Sequence, residues 1–574
     1  MDRQTPRKRP PRPAARPVSR FRNALSRTDK PLVAVVLLAA AGLYVGWDAL
    51  WFLCDDAYIA FRYVAHGVAG LGYTWNPPPF RAVEGYTSFL WLAVLEAVWR
   101  LTGVAPPEAA NVVALGCSYG TLAFTVAMAR RIDLPTDLAR LRTPVVALVL
   151  IGTLTNRTFL AWTSSGLETA LFGCLITGWL WLAAFADAAR PAWPALISAV
   201  AALSALARPD GLLFAAATPI AIAVRGRLGL AGLRSPGALA KLAPLAIVPA
   251  HLLWRRARYG AWLPNTYYAK STGAWPEAGA HYLLSFVLEY GLWAWVVVIA
   301  IVASRRLGGL DLVAYPASDP DRGRRRALVV AIAVIAAHFA YYTLIVGGDH
   351  FEYRVYAHLV PLLFLSAAWA VGRIGLAPGG SIAALAAIVA LSWPIPWTHW
   401  SITRDLRDRS ATLRLRAPVA PHLPEPVAWY GRIFDQQQAW LVERFVGMRH
   451  QEHKVLWESE IAVMAKPDET LAEGPDGLPV LAAEIVGVVG WTYPRLAVID
   501  LLGLNDAVVA RAPVDGSRGR RMAHERRPPA GYVECFAPNV VFRNGKASRR
   551  LRAEPLSAAR VEACERDFAA KVGL

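Results

Sequence analysis

Two adjacent carboxylates, Asp55 and Asp56, follow the first long apolar run of the chain. Acids this close repel when both are ionised, so they favour a shared proton, a metal ion or a cationic partner, and each of these suits acid/base chemistry. A solvated helix end is the other reading of the same pair. Further acids stand at the ends of apolar runs, Glu168 in Ser164-Ser165-Gly166-Leu167-Glu168 and Asp210 in Arg208-Pro209-Asp210-Gly211. Charge held so near a bilayer is costly and commonly functional. Cations occupy comparable positions: Arg208, Lys270, His350 and Arg354. Such groups neutralise the charge that develops on a departing phosphate, although each one singly also fits a side chain snorkelling to the interface. Glu84, Asn265, Tyr268 and Asp349 lie in the same polar loops and complete the candidate substrate-binding set. Tyr73, Trp75, Tyr86, Trp162, Trp262, Tyr267 and Tyr268 interleave with these charges. They read either as an interfacial aromatic belt or as platforms for a sugar ring.

The elements that hold these loops belong to a membrane. The chain has 574 residues, 55% hydrophobic and 18% charged, far too apolar for a soluble protein of this length. Apolar runs at about 31–53, 108–129, 143–163, 167–187, 191–207, 211–224, 237–255, 283–303, 327–346, 355–372 and 382–400 are expected to cross a hydrocarbon core of about 30 Å. That makes about eleven crossings. A shorter stretch at about 86–103 is expected to lie at the interface, because counting it as a twelfth crossing puts Arg130, Arg131 and the arginines between Ser304 and Ala327 on the wrong side.

Charge distribution sets the orientation. Ten of the first thirty residues are Lys or Arg, in a Pro-rich stretch without apolar periodicity, so residues 1–30 are expected to be disordered and cytoplasmic. With that end inside, Arg140, Arg142, Arg225, Arg227, Arg234, the run Arg305 to Arg326 and Arg373 also fall inside. The net charge of +19 is therefore a membrane-orientation signal, and no nucleic-acid partner is expected. The odd count places residues 401–574 outside, together with every polar loop named above. In this tail, Ile485–Gly490 and the segment from Asn539 read as short strands among helices. Cys535 and Cys564 are expected as unpaired core thiols, pairing being the alternative in an oxidising compartment.

The loops carry a pattern: DDAYIAFRYVAHGVAGLGYTWNP from Asp55, VEGYTS from Val83, SSGLET from Ser164, ARPDG from Ala207, RYGAWLPNTYYAK from Arg258 and GGDHFEYR from Gly347. On these motifs the chain resembles the GT-C superfamily of multi-spanning glycosyltransferases that use polyprenyl-phosphate sugars, and within it the mycobacterial terminal β-(1→2)-arabinofuranosyltransferases. VIDLLGLND from Val498 and the later His524-Glu525 resemble the external C-terminal region of such proteins.

The resemblance implies an all-α polytopic GT-C-like domain over 31–400 and a smaller α/β extracytoplasmic domain over 401–574. It implies that Asp55 and Asp56 are the catalytic pair, Asp55 beside the reacting hydroxyl and Asp56 orienting it or holding a divalent cation. Lys270, Asp349, His350 and Arg354 are then expected around the donor phosphate. Glu84, Glu168, Arg208, Asp210, Asn265 and Tyr268 are further donor- or substrate-binding residues. The expected partners are a polyprenyl-phosphate sugar, arabinofuranose favoured, a glycan, lipid or protein acceptor, and the lipids of the inner (cytoplasmic) membrane. A nucleotide-sugar donor is disfavoured, because no Gly-rich phosphate loop or Rossmann fingerprint appears on the inner side. A transporter or lipid-linked-sugar flippase is the alternative, but no internal repeat of the kind transporters carry is found and the charged motifs gather at one surface.

Overall fold

Apolar side chains surround the first helix, Lys30–Ala49, and only Ala39 and Leu43 of it are buried against protein. The rest of its surface is left for lipid. In the computed structural model, which describes residues 30–225, 236–270, 273–307, 321–412, 415–464, 471, 473–514, 519–543 and 546–574, five helices have the length and apolarity to cross a membrane. They are Lys30–Ala49, Pro106–Ala129, Arg322–Val346, Arg354–Val371 and Pro378–Thr403. Arg142–Leu154, Thr169–Ala184 and Trp193–Ala207 are shorter apolar helices. The basic segment 1–29, Arg227, Arg234 and the loop 308–320 lie outside the described residues.

The apolar runs of the sequence outnumber the long helices partly because turns cut several of them. The run 283–303, expected as one span, is two helices, Pro276–Glu289 and Trp293–Leu307, bent by 96°. Glu289 ends the first of these in buried ion pairs. Gly291 makes the turn at φ +58, where a Cβ would stand 2.9 Å from the Leu391 carbonyl oxygen. The stretch at 86–103 forms a 14-residue helix, Phe89–Thr102, about 21 Å long at about 1.5 Å per residue. It buries Trp91, Leu92 and Leu95 and leaves Leu101 exposed.

The tail contains helices Glu425–Glu443, His450–Met464 and Ala558–Lys571 and two small sheets. Strands β1 (Val480–Ala483) and β2 (Ala497–Asp500) pair in parallel, Val480 opposite Ala497. Strands β3 (Val540–Arg543) and β4 (Lys546–Arg549) form an antiparallel hairpin. The segment Ile485–Gly490 is not a strand. It runs into the helix Gly487–Thr492, which joins β1 to β2 and begins against Asp55, where a Cβ on Gly487 would meet the Asp55 carbonyl oxygen at 1.9 Å. Cys535 and Cys564 are not free thiols either; they form a disulfide that ties the Tyr532–Cys535 turn to the last helix.

One apolar core holds the first polar loop and the tail together. It contains Phe52, Tyr58, Phe61, Tyr63, Trp75 and Trp91 beside Leu481, Val488, Leu496 and Val498. Arg62, wholly buried, donates to the carbonyls of Trp75, Gly490, Tyr493 and Leu496. Trp75 Nε1 and Asn76 Nδ2 both donate to the Val498 carbonyl, and the Val498 amide donates back to Asn76 Oδ1 at 2.8 Å. A buried guanidinium and strand backbone satisfied in this way fix the tail on the loop that begins with the acidic pair.

Candidate active site

Asp55 and Asp56 open the helix Asp55–Val68, directly after the first span. Asp55 is 8% exposed, and each of its oxygens accepts a backbone hydrogen bond from the tail: Oδ2 from Gly487 N at 3.0 Å and Oδ1 from Val488 N at 2.8 Å. Burial pushes its carboxyl up to about 7, with the Val488 amide acting in the opposite direction and Asp56 adding to the rise. Asp56 is half-exposed, with no hydrogen-bond or ion-pair partner among the described residues.

Lys270 ends the short helix Asn265–Lys270. It too is half-exposed and unpaired among the described residues. The charges of Asp56 and Lys270 both act on His524, which the tail contributes, and Lys270 acts on His350 as well. The His350 and His524 rings stand 5.1 Å apart, with His453 5.3 Å from His350. Burial, followed by its imidazole neighbours, holds His350 well below the ordinary range; burial also lowers His524 and takes His453 down to about 3.

From His453 the polar strip continues to Arg354, whose Nε donates to Asp349 Oδ2 at 2.8 Å and whose guanidinium lies 4.3 Å from the Phe351 ring centre. Beyond it, Arg208 donates to Glu168 at 2.7 Å, to Asp210 at 3.1 Å and to the Tyr342 hydroxyl at 2.8 Å. Tyr342 belongs to a one-turn π-helix, Tyr341–Val346, a distortion of the helical ladder frequent at functional sites.

Asp56, Lys270, Asp349, His350, Arg354, Arg208, Glu168 and Asp210 are thus linked, in part by direct ion pairs and otherwise by the longer-range action of their charges. The remaining candidates go elsewhere. Glu84 pairs with Arg255 at 2.7 Å, and its carbonyl accepts from Asn265 N. Asn265 Nδ2 donates to the carbonyls of Gly503, Leu504 and Asp506, and Arg511 lies 3.9 Å from the Tyr268 ring centre. Of these, Asn265 grips the Leu502–Asp506 loop of the tail. Trp75, Tyr86 and Trp162 are buried in the core, while Trp262 and Tyr267 are exposed. Among the described residues no three His, Cys, Asp or Glu side chains converge as metal ligands.

Sequence reasoning missed a wholly buried quartet. Arg157 and Arg449 both bind Glu289 and Glu352, Arg449 Nη1 at 2.7 Å from Glu289 Oε2. It also left His524 as a motif residue without a role. Its only signal was an isolated His-Glu in a segment lacking periodicity.

No protein-family model and no curated protein matches the chain in sequence. Among solved structures, ArnT from Cupriavidus metallidurans bound to undecaprenyl phosphate is similar at 13% identity and TM-score 0.50, with 85% of this chain and 89% of that chain covered. The same protein in its apo state gives 14% identity and TM-score 0.49, over 83% and 88% of the two chains. The Archaeoglobus fulgidus oligosaccharyltransferase tethered with an acceptor peptide reaches 13% identity and TM-score 0.38, over 81% and 63%, too distant to argue from. The chain therefore shares the fold of ArnT.

Proposed function

We propose that this chain is a membrane glycosyltransferase that takes a sugar, arabinofuranose by the resemblance of its motifs, from a polyprenyl-phosphate donor. It passes the sugar to a hydroxyl of a cell-envelope glycan, lipid or protein on the extracytoplasmic face. The observation that carries this reading is the meeting of an unpaired acid, Asp56, with an unpaired cation, Lys270, and two imidazoles where the first loop, the Gly347–Arg354 loop and the tail converge. Asp56 takes the proton of the acceptor hydroxyl, whose oxygen bonds to the anomeric carbon. The bond from that carbon to the phosphate oxygen breaks, and its electron pair leaves with the phosphate, beside Lys270 and Arg354. Asp55, closed in by two amides, holds the start of the helix and thereby Asp56. The roles of the two acids are the reverse of those the sequence suggested. No step is assigned to a divalent cation.

Two observations support the donor and the side. The similar ArnT structure holds undecaprenyl phosphate. The tail carries a disulfide, a bond that persists in oxidising compartments, in keeping with an external tail. The test is transfer by the purified chain in lipid, with synthetic polyprenyl-phosphoryl pentoses and hexoses set against nucleotide sugars. Transfer from a lipid-linked sugar alone is expected. Turnover of a nucleotide sugar with no lipid present overturns the reading.

A further inference from the structure

His350 and His524 are both held through Nδ1. His350 Nδ1 lies 2.9 Å from the Phe445 carbonyl oxygen, and His524 Nδ1 lies 2.7 Å from that of Met522. A carbonyl only accepts, so Nδ1 carries the hydrogen in both rings, and Nε2 is the lone-pair nitrogen of each neutral imidazole. Neither Nε2 has a hydrogen-bond partner among the described residues, and both residues are largely buried without being closed off from solvent. The backbone around them is held in an unusual form: Phe445, which supplies one carbonyl, has φ +56, and Ala523, next to His524, has φ +61. Left-handed backbone at residues with a Cβ is strained and persists only where the surrounding structure fixes it.

The charged groups around the pair come from every neighbouring element. Asp56, Lys270 and Arg527 act on His524; His453 and Lys270 act on His350. Asp349 is committed to Arg354, Glu525 pairs with Arg520, and Arg521 lies over the Phe445 ring. Cations and imidazoles therefore outnumber the one uncommitted acid.

We propose that the Nε2 atoms of His350 and His524, beside Lys270, bind the phosphodiester of the lipid-linked donor, and that the imidazole pair takes up one proton from solvent as the diester enters. This rests on the donor reading above, and it adds a tail residue to the binding site and a proton to the binding step. Two neutral imidazoles offer an anion only lone pairs. Protonating one turns its Nε2–H into a charge-assisted donor, while a second charge 5.1 Å away and beside Lys270 is opposed. The proton returns to solvent when the phosphate leaves.

The probe is citronellyl methyl phosphate, a diester with the same single charge across the neutral range, so any proton taken up belongs to the protein. Calorimetry on the purified full chain, in two buffers of different ionisation heat, counts that proton. Uptake of about one proton is expected, with affinity falling by up to tenfold per pH unit as pH rises between the free and bound imidazole values. His524→Asn keeps the donation to Met522 and lacks Nε2, so it should fold as wild type and bind about tenfold more weakly. The double variant His350→Gln with His524→Gln keeps amide donors at the Nε2 positions without titrating, so it should bind with no proton uptake and a flat pH profile. Diester binding by wild type without proton uptake, or unchanged affinity in His524→Asn, overturns the inference and leaves the donor reading standing. Wild type that binds no diester at any pH overturns both.

Discussion

Asp55 and Asp56 are neighbours in the chain with opposite surroundings, and their variants should fail in different ways. Asp56→Asn removes the proposed proton acceptor from a partly exposed position without hydrogen-bond or ion-pair partners among the described residues. Its transfer rate should fall by about 10²–10⁴-fold with unfolding unchanged, as measured by product formed at matched protein. Asp55→Asn places an amide donor against one of two backbone N–H groups, Gly487 or Val488. Its main loss should be about 1–3 kcal/mol of stability in the tail and first loop, read by denaturant unfolding. Lys270→Ala should weaken donor binding and turnover together, because a phosphate contact exists in both ground and transition states; unchanged donor affinity would remove Lys270 from the phosphate site. The candidate acids and cations were legible in the sequence because they sit as polar clusters at the ends of apolar runs. The division of labour between two adjacent aspartates was not, since it is made by amides of Gly487 and Val488 more than four hundred residues away.

At the scale of elements, the Arg157–Glu289–Arg449–Glu352 quartet joins the short helix Arg157–Ala161, the bent helix pair, the Gly347–Arg354 loop and the start of the tail helix His450–Met464. Glu289→Gln leaves two buried guanidinium groups with one carboxylate fewer and should cost about 3–5 kcal/mol, measured by equilibrium unfolding. His453 gives this region an acid-sensitive element. Its folded value of about 3 lies below the ordinary imidazole value of 6.5. The neutral ring therefore contributes stability that is present above about 6.5 and is lost as pH falls, about 2 kcal/mol by pH 5. His453→Leu should lose that much less stability than wild type between pH 7 and pH 5, by denaturant unfolding at the two values. Helices such as Pro106–Ala129 were legible from length and apolarity alone. The break at Gly291 was not, because a single glycine and one acid inside an apolar run look like tolerated exceptions until the acid's partners are known. The four-residue strands of the tail are likewise too short to show a period, and the helix Gly487–Thr492 has two branched apolar residues that read as strand.

At the scale of the whole molecule, an external tail predicts that Glu554→Cys, on an exposed side chain, reacts with a membrane-impermeant maleimide in intact cells. Reaction only after the inner membrane is permeabilised would invert the topology. The shared core of first loop and tail also has a meaning in time. Arg62 and its acceptor Gly490 are 428 residues apart, and a ribosome adding about 5–20 residues per second needs roughly 20–85 seconds to cover that distance. For that interval three of the four carbonyl acceptors of Arg62, those of Gly490, Tyr493 and Leu496, are still unmade, and Asp55 has no amides to close over it. The first loop of a nascent chain is therefore incompletely packed until the last quarter has emerged and docked, and its protection from protease should arise late and all at once during synthesis.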